Sequence, residues 1–366
     1  MKIKIAIYGT GRAGLGFLKF LQESGYAVSG LITSSRERAE GIEQETGVPG
    51  FVSLDELLEA VPDTTVALIA NANDRHKEAT IESLARGLHV YCEKPMAPTL
   101  EESRAMLEAE QASEGSLQIG FEYIHSLMPR RVRELRDEGF FGQVLTAGCL
   151  DSRGHWWAGK PDAPFEKQVK LRREVGGGIV FHCGIHQLDM LRAYLGEFEE
   201  VQAYRSASNA LPYYPEDVPD HVQIMLRGAG GKLGSLEIFH NRAPTYYRSP
   251  LPEGRAYHEL PGHEFRLSLT GSGGSCLADF YGAKLHLFKF DHERKETQLI
   301  GTEDFSDHPQ NDLHHDMNGM LLRYLKRIER GEGPLTPAAD AYKTMELATA
   351  VETSIAEKRA VRLSQS

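Results

Sequence analysis

The sequence predicts an α/β protein in two parts. A doubly wound parallel sheet comes first, followed by an α+β region built on a large open, mostly antiparallel sheet. Three observations carry this expectation. A short β-branched run, Lys2–Tyr8, leads straight into Gly9-Thr10-Gly11-Arg12-Ala13-Gly14 and then into a helix-forming stretch. Apolar runs of strand length alternate with amphipathic stretches up to about residue 120. Beyond that point, short strand-like runs separated by turns dominate.

The elements follow in order. Residues 3–8, 27–32, 66–70, 88–92 and 117–120 read as strands, with helices near 14–24, 35–46, 53–60, 74–86 and 99–113 between them. Ser53 and Asp74 stand where N-caps belong, and Thr99 with Glu102 forms a capping box. Such alternation makes the strands parallel and puts helices on both faces. Further strands are expected at 144–150, 199–206, 221–227, 233–239, 264–270 and 283–289, then helices near 312–330 and 337–357, parted by Gly331-Glu332-Gly333-Pro334. One face of this second sheet is expected under helices and the other free for a partner. The expected domains are residues 1–121 and 122–366.

Composition narrows the classes of function. The 366 residues are 41% hydrophobic and 25% charged, long enough for two cores. A formal net charge of -11 with no basic stripe argues against nucleic acid. The apolar runs are too short for a membrane span, and Ile3–Tyr8 is too short for a signal peptide. Cys92, Cys149, Cys183 and Cys276 lack paired spacing, so reduced thiols and a cytoplasmic location are expected.

The glycine turn points to a dinucleotide. In a strand–turn–helix setting, Gly9 permits the tight turn, Gly11 lets backbone approach a pyrophosphate, and Gly14 lets the helix pack on its strand. The helix N-terminus offers N–H groups and partial positive charge to phosphates, so Gly9, Thr10, Gly11, Arg12, Ala13 and Gly14 are the expected phosphate cradle of a Rossmann-type domain. The end of the second strand reads Thr33-Ser34-Ser35-Arg36-Glu37-Arg38. An NAD site commonly has a carboxylate at the position of Thr33, to bind the ribose 2′-hydroxyl. Here hydroxyls stand instead, and Arg36 or Arg38 can pair with a 2′-phosphate, which favours NADP over NAD.

Two later strand ends carry polar residues. Asn71-Ala72-Asn73-Asp74-Arg75-His76 follows the third of the expected strands, and Cys92-Glu93-Lys94-Pro95 follows the next. At the rim of such a site, the Lys94 ammonium suits a substrate oxygen on which charge develops. The Lys94–Pro95 bond is a candidate for cis.

These motifs occur together with "HVYCEKPMAPTLEE", "LQIGFEY" and "GGGIVFHCGIHQLDMLRAYLG". In their order and spacing the chain resembles the glucose–fructose oxidoreductase / inositol dehydrogenase family, over essentially its whole length. The resemblance implies oxidation or reduction of sugars and cyclitols with NAD or NADP, and pairing of the second domains into a homodimer or homotetramer. It implies that Lys94 binds substrate and tunes proton transfer, that Glu93 shapes the nicotinamide site, and that Asn71, Asn73 and His76 line the dinucleotide.

Gly176-Gly177-Gly178 opens a second chemical centre. His182, His186 and Asp189 follow at spacings of four and three, so they share one face of a helix. Imidazole suits acid–base work near neutral pH. The family's motif at this point reads Asp-x-x-x-His, so by resemblance His186 is the acid/base. His182 replaces the aspartate, which removes an expected negative charge and leaves His182 as an assisting residue. His182, His186 and Cys183, with His308, His314, His315 and Asp316 further on, carry metal-ligand chemistry, but Cys183 points off the histidine face, and no metal is expected. Glu122, Tyr123 and His125 are further pocket candidates, as are Arg153, His155, Trp156 and Trp157, where an aromatic face suits a sugar and an arginine suits an acidic group. The stretch from His240 to His263 reads as a long ordered loop, a lid or a subunit contact. The substrate set is therefore Lys94, Glu122, Tyr123, Arg153, Trp157, His182, His186 and Asp189, for a small sugar-like molecule. Two other readings stay open: a redox-neutral glycosidase or lyase holding NAD tightly, and a non-enzymatic nucleotide-binding regulator.

Overall fold

The computed structural model describes residues 3–153, 177–207, 220–240, 263–309 and 313–363, to which all statements of number or absence below refer. Trp156, Trp157, Gly176 and the stretch 241–262 lie outside them. The chain divides into two compact units: Met1–Phe121 with Met317–Met345, and Glu122–Asp316 with Glu346–Ser366, a short piece around Gly176 excepted.

In the first unit, β1 (Lys4–Tyr8), β2 (Ala27–Ile32), β3 (Gly50–Phe51), β4 (Val66–Ile69), β5 (His89–Cys92) and β6 (Leu117–Ile119) pair in parallel in the order β3-β2-β1-β4-β5-β6. The order reverses between β1 and β4, which is where a doubly wound sheet opens a crevice. The helices are α1 (Arg12–Glu23), α2 (Arg36–Thr46), α3 (Leu54–Ala60), α4 (His76–Ala85) and α5 (Leu100–Gln111). Ser53 caps α3 by accepting from Glu56 N–H, and Thr99 caps α5 by accepting from Glu102 N–H at 3.2 Å. Asp74 is not a cap: residues 73–75 form a 3-10 turn, and α4 begins only at His76.

The helix α6 (Leu127–Asp137) and the π-helical turn Val180–Gly184, which runs directly into α7 (Ile185–Leu195), belong to the second unit. Its strands are β7 (Val144–Arg153), β8 (Phe198–Ser206), β9 (His221–Gly228), β10 (Leu233–His240), β11 (Glu264–Gly271), β12 (Gly274–Asp279), β13 (Lys284–Asp291), β14 (Glu296–Asp304) and β15 (Val361–Arg362). They form a nine-stranded sheet in the order β14-β13-β12-β11-β7-β10-β9-β8-β15, antiparallel except where β7 meets β10. Burial alternates residue by residue along β9, so one face is covered and the other presents Gln223, Met225 and Arg227.

Two helices precede β15, α8 (Met317–Glu329) and α9 (Ala338–Glu357). The first segment of the first unit ends at Phe121, and the chain returns to that unit from Met317 to Met345. Met320, Leu321, Tyr324, Leu325 and Ile328 of α8 share one core with Ile5, Ile7, Phe17, Leu21 and Tyr91. Amphipathic spacing gives α8 an apolar face, but spacing does not say which core receives it.

Candidate functional site

The first unit holds an open cleft of about 1100 Å3 at the carboxyl ends of its strands. Its walls include Gly9, Thr10, Gly11, Arg12 and Ala13 of the glycine turn, Thr33 and Ser34 after β2, and Asn71 after β4. Gly9 sits at φ +99, and a Cβ there would lie 2.7 Å from the carbonyl oxygen of Ala70. A Cβ on Gly14 would lie 2.1 Å from the carbonyl oxygen of Gly9. Both positions therefore require glycine. Gly11 is the N-cap of α1 and lends no side chain to the first N–H groups, which leaves them for an anion. The buried Oδ1 of Asn71 has no hydrogen-bond partner among the described residues. A cradle that any Cβ would fill, an uncapped helix start and an unsatisfied amide all fit a dinucleotide.

The cations after β2 are held by the protein. Arg36 makes a two-pronged contact to Glu56, at 2.6 and 3.1 Å. Arg38 donates to Thr10 Oγ1 at 3.1 Å and to Glu45 at 2.9 Å, and Ser35 caps α2 by accepting from Arg38 N–H.

Lys94 follows β5, and its bond to Pro95 is cis. His76 does not present itself at the cleft as expected: it is fully buried, with Nδ1 2.9 Å from the carbonyl oxygen of Pro95, so it supports the Lys94 turn from beneath. Burial holds His76 below the usual imidazole pKa, so it is neutral near pH 7 and Nδ1–H is the donor. Glu93 is partly accessible, but its Oε1 is buried without a partner, and desolvation pushes its carboxyl up to about 7, with the Lys94 charge pulling the other way. Asn73 lies in the 3-10 turn after Asn71 and is half-buried.

Three segments converge in the second unit. The hydroxyl of Ser126 donates to the carbonyl of Glu122 at 2.8 Å and accepts from Asp316 N–H at 3.0 Å, while Met128 N–H donates to the carbonyl of Leu313 at 3.0 Å. These bonds clamp residues 313–316 against residues 122–128. The Tyr123 ring stacks on His186 of α7, with centroids 4.0 Å apart and planes 7° from parallel. The result is a cluster of Glu122, His186 and His315 whose ligand-capable atoms all lie within 4.8 Å of one another. Glu122 Oε2 is 3.7 Å from His186 Nδ1, and Glu122 Oε1 is 3.3 Å from His315 Nε2. Glu122 and His186 are buried, whereas the His315 side chain keeps 25% of its exposure.

The expected residues sort differently from their sequence grouping. Glu122 and His186 come together. Tyr123 is buried and stacks on His186. Arg153 engages Asp151 through Nε and Nη2 at 2.8 and 2.7 Å, and Gln187 donates to the same carboxylate at 2.7 Å. Asp189 is buried, with its carboxylate 3.9 Å from Arg192, which also pairs with Glu197. His182 is half-buried in the π-helical turn. His125 is buried in the 3-10 turn. His314 sits among the rings of Tyr123, Phe265, Phe280 and Tyr281, and burial with the nearby charges of His315 and Arg153 keeps it neutral. Trp157 lies outside the described residues. The four cysteines are free and buried, and no helix among the described residues is long and apolar enough to cross a membrane. Sequence reading missed His315 as a partner of Glu122. The His314-His315-Asp316 run was its one visible signal.

Comparison with known proteins gives matching family models. Residues 3–121 match the model described as an oxidoreductase family with an NAD-binding Rossmann fold, and residues 130–276 match the GFO/IDH/MocA C-terminal domain. The levoglucosan dehydrogenase of Pseudarthrobacter phenanthrenivorans is 31% identical over 206 residues, 49% of this chain and 50% of that protein. The chain thus spans about half the length of that relative. The myo-inositol 2-dehydrogenase of Thermotoga maritima is 24% identical over 375 residues, 99% of each chain. Among solved structures, a levoglucosan dehydrogenase in complex with NADH superposes with a TM-score of 0.77 at 22% identity, covering 100% of both chains, which shows the fold.

Proposed function

Because this chain belongs to the GFO/IDH/MocA family of NAD-binding oxidoreductases, we propose that it moves hydride between a nicotinamide cofactor and a hydroxyl or keto group of a sugar, cyclitol or related polyol. The observation that carries this reading is the glycine-turn cleft, whose two obligatory glycines and uncapped helix start suit a pyrophosphate. The turn from Gly9 to Gly14 holds the phosphates, Thr33, Ser34, Ser35 and Arg36 meet the adenosine ribose, and Asn71, Asn73, Glu93 and Lys94 serve the nicotinamide half. When bound, the nicotinamide takes up or gives back hydride. Lys94 holds the reacting oxygen and favours charge on it. The hydroxyl proton is lost, or regained in reduction, at the cluster around His186, with His182 assisting. Glu122 supplies there the negative charge that the resemblance expects at position 182.

NADP is our preferred cofactor over NAD. Support comes from the absence of a carboxylate at Thr33 and from Arg36, whose pairing with Glu56 is exposed and exchangeable. The uncovered face of the nine-stranded sheet supports a homodimer or homotetramer, since Tyr204, Met225 and Leu233 remain exposed on β8, β9 and β10. A cytoplasmic location accords with four free, buried thiols.

The test is a fluorescence titration of the purified chain with NADPH and NADH, followed by nicotinamide absorbance with polyols and keto-sugars. Reversible binding tighter for NADPH, then turnover with one of these substrates, is expected. Binding of neither dinucleotide, with none already bound, would remove the enzymatic reading.

A further inference from the structure

We propose that Glu122, His186 and His315 form a binding site for a divalent transition-metal ion of the zinc class. The donor set is two imidazoles and one carboxylate, which suits zinc and its first-row neighbours and is poorly matched to magnesium or calcium. The spacing points the same way. The 3.7 Å between Glu122 Oε2 and His186 Nδ1 is too long for a hydrogen bond. Ligands bound about 2.0–2.2 Å from a tetrahedral ion stand roughly 3.3–3.5 Å from one another. The separations of 3.3 Å from Glu122 Oε1 to His315 and 3.7 Å from Glu122 Oε2 to His186 lie about that value, and one ligand atom from each of the three residues lies within 4.8 Å of the others.

The surroundings support an ion. A carboxylate beside two imidazoles gives the site the negative charge that a cation needs. Arg153, whose charge reaches His314 beside the cluster, is paired with Asp151 through a two-pronged contact. Tyr123 fixes the His186 ring by stacking and meets His315 edge-on at 5.2 Å. Ser126 ties both the Glu122 and the Asp316 backbone in place. Ligand rings held by an outer layer of packing and hydrogen bonds are characteristic of metal centres.

Three protein ligands leave a fourth position open, as in sites where water or substrate completes the coordination. An oxygen ligand placed there loses its proton at a lower pH than in water. This step rests on the dehydrogenase reading above; the binding site does not. With an ion in place, His186 would act as its ligand, and the proton of the coordinated oxygen would pass to solvent water.

The full-length protein is stripped with a chelator, dialysed against Zn2+ or Co2+, and analysed for metal content and for the visible absorption of bound Co2+. About one equivalent is expected, with binding that weakens on acidification because the ligands must be deprotonated. His315→Ala and Glu122→Gln should each weaken binding by more than the roughly 10–100-fold that loss of an outer-layer partner costs. Melting curves and NADH titration establish that both variants are folded. Less than about 0.1 equivalent in the folded wild-type protein, or variants that bind metal as well as wild type, would overturn the proposal. Stoichiometric metal binding without any polyol turnover would leave the site standing and bring down the dehydrogenase reading instead.

Discussion

The two units build their sites from different materials. The cleft of the first unit is made by main chain: Gly9 and Gly14 are fixed by how closely backbone approaches backbone, and α1 offers its own N–H groups. The cluster of the second unit is made by side chains from Glu122, His186 and His315, segments far apart in the chain and joined by Ser126 and the Tyr123 ring. A backbone site leaves a short, contiguous signature in the sequence. A side-chain site leaves isolated residues whose meeting depends on tertiary structure.

The largest effect should separate the two units. His186→Ala should lower kcat by about 10²–10⁴ while leaving the NADH dissociation constant within about twofold of wild type. Steady-state kinetics and fluorescence titration read the two quantities independently. An equal loss of dinucleotide affinity would show that the division of labour is wrong.

Gly14→Ala makes the converse change. Its Cβ would meet the Gly9 carbonyl at 2.1 Å, and backbone at that distance cannot yield cheaply. We expect a loss of about 1–3 kcal/mol in stability from the forced shift, with weaker NADH binding as the turn opens. Wild-type melting and wild-type affinity in this variant would contradict the packing argument.

Arg36→Ala tests which dinucleotide the cleft prefers. Losing one charge-assisted phosphate contact should weaken NADPH binding about tenfold, near 1.4 kcal/mol, and affect NADH far less. The variant also releases Glu56, so NADH affinity should hold or rise slightly. Equal changes for both dinucleotides would assign Arg36 to the surface of α2 alone.

The same contrast explains what could be read in advance. The strands and helices around the glycine turn were legible to within one or two residues, because local pattern and tertiary role agree there. The two-residue β3 is too short to carry a pattern. β14 is exposed along almost all its length, so the alternation that marks a half-buried strand is missing. Arg153 and Asp189 look like ligand contacts as isolated residues, yet the fold gives each a partner, Asp151 and Arg192. Glu122 was visible as a candidate, but its pairing with His315 follows from the Ser126 clamp, which no spacing rule contains.

The smallest expected effect concerns Glu93, at the end of β5 in the first unit. Desolvation raises its carboxyl from 4.5 to about 7 in the folded protein. A folded-state pKa above the unfolded one means the native protein binds more protons between these values. Its contribution is therefore fully present below about pH 4.5 and is lost as pH rises through about 7. The change should be modest, because Glu93 is partly accessible and solvent screens its charge. Buried His76 titrates nearby with the opposite sign, its lowered pKa removing stability as pH falls. Comparing Glu93→Gln with wild type cancels that background. Urea unfolding across pH 4.5–8 should show wild type losing stability relative to the variant on the alkaline side. Parallel curves over the whole window would mean that the Glu93 carboxylate is solvated in the folded state, and that this strand end, unlike the glycine turn beside it, holds no side chain under electrostatic tension.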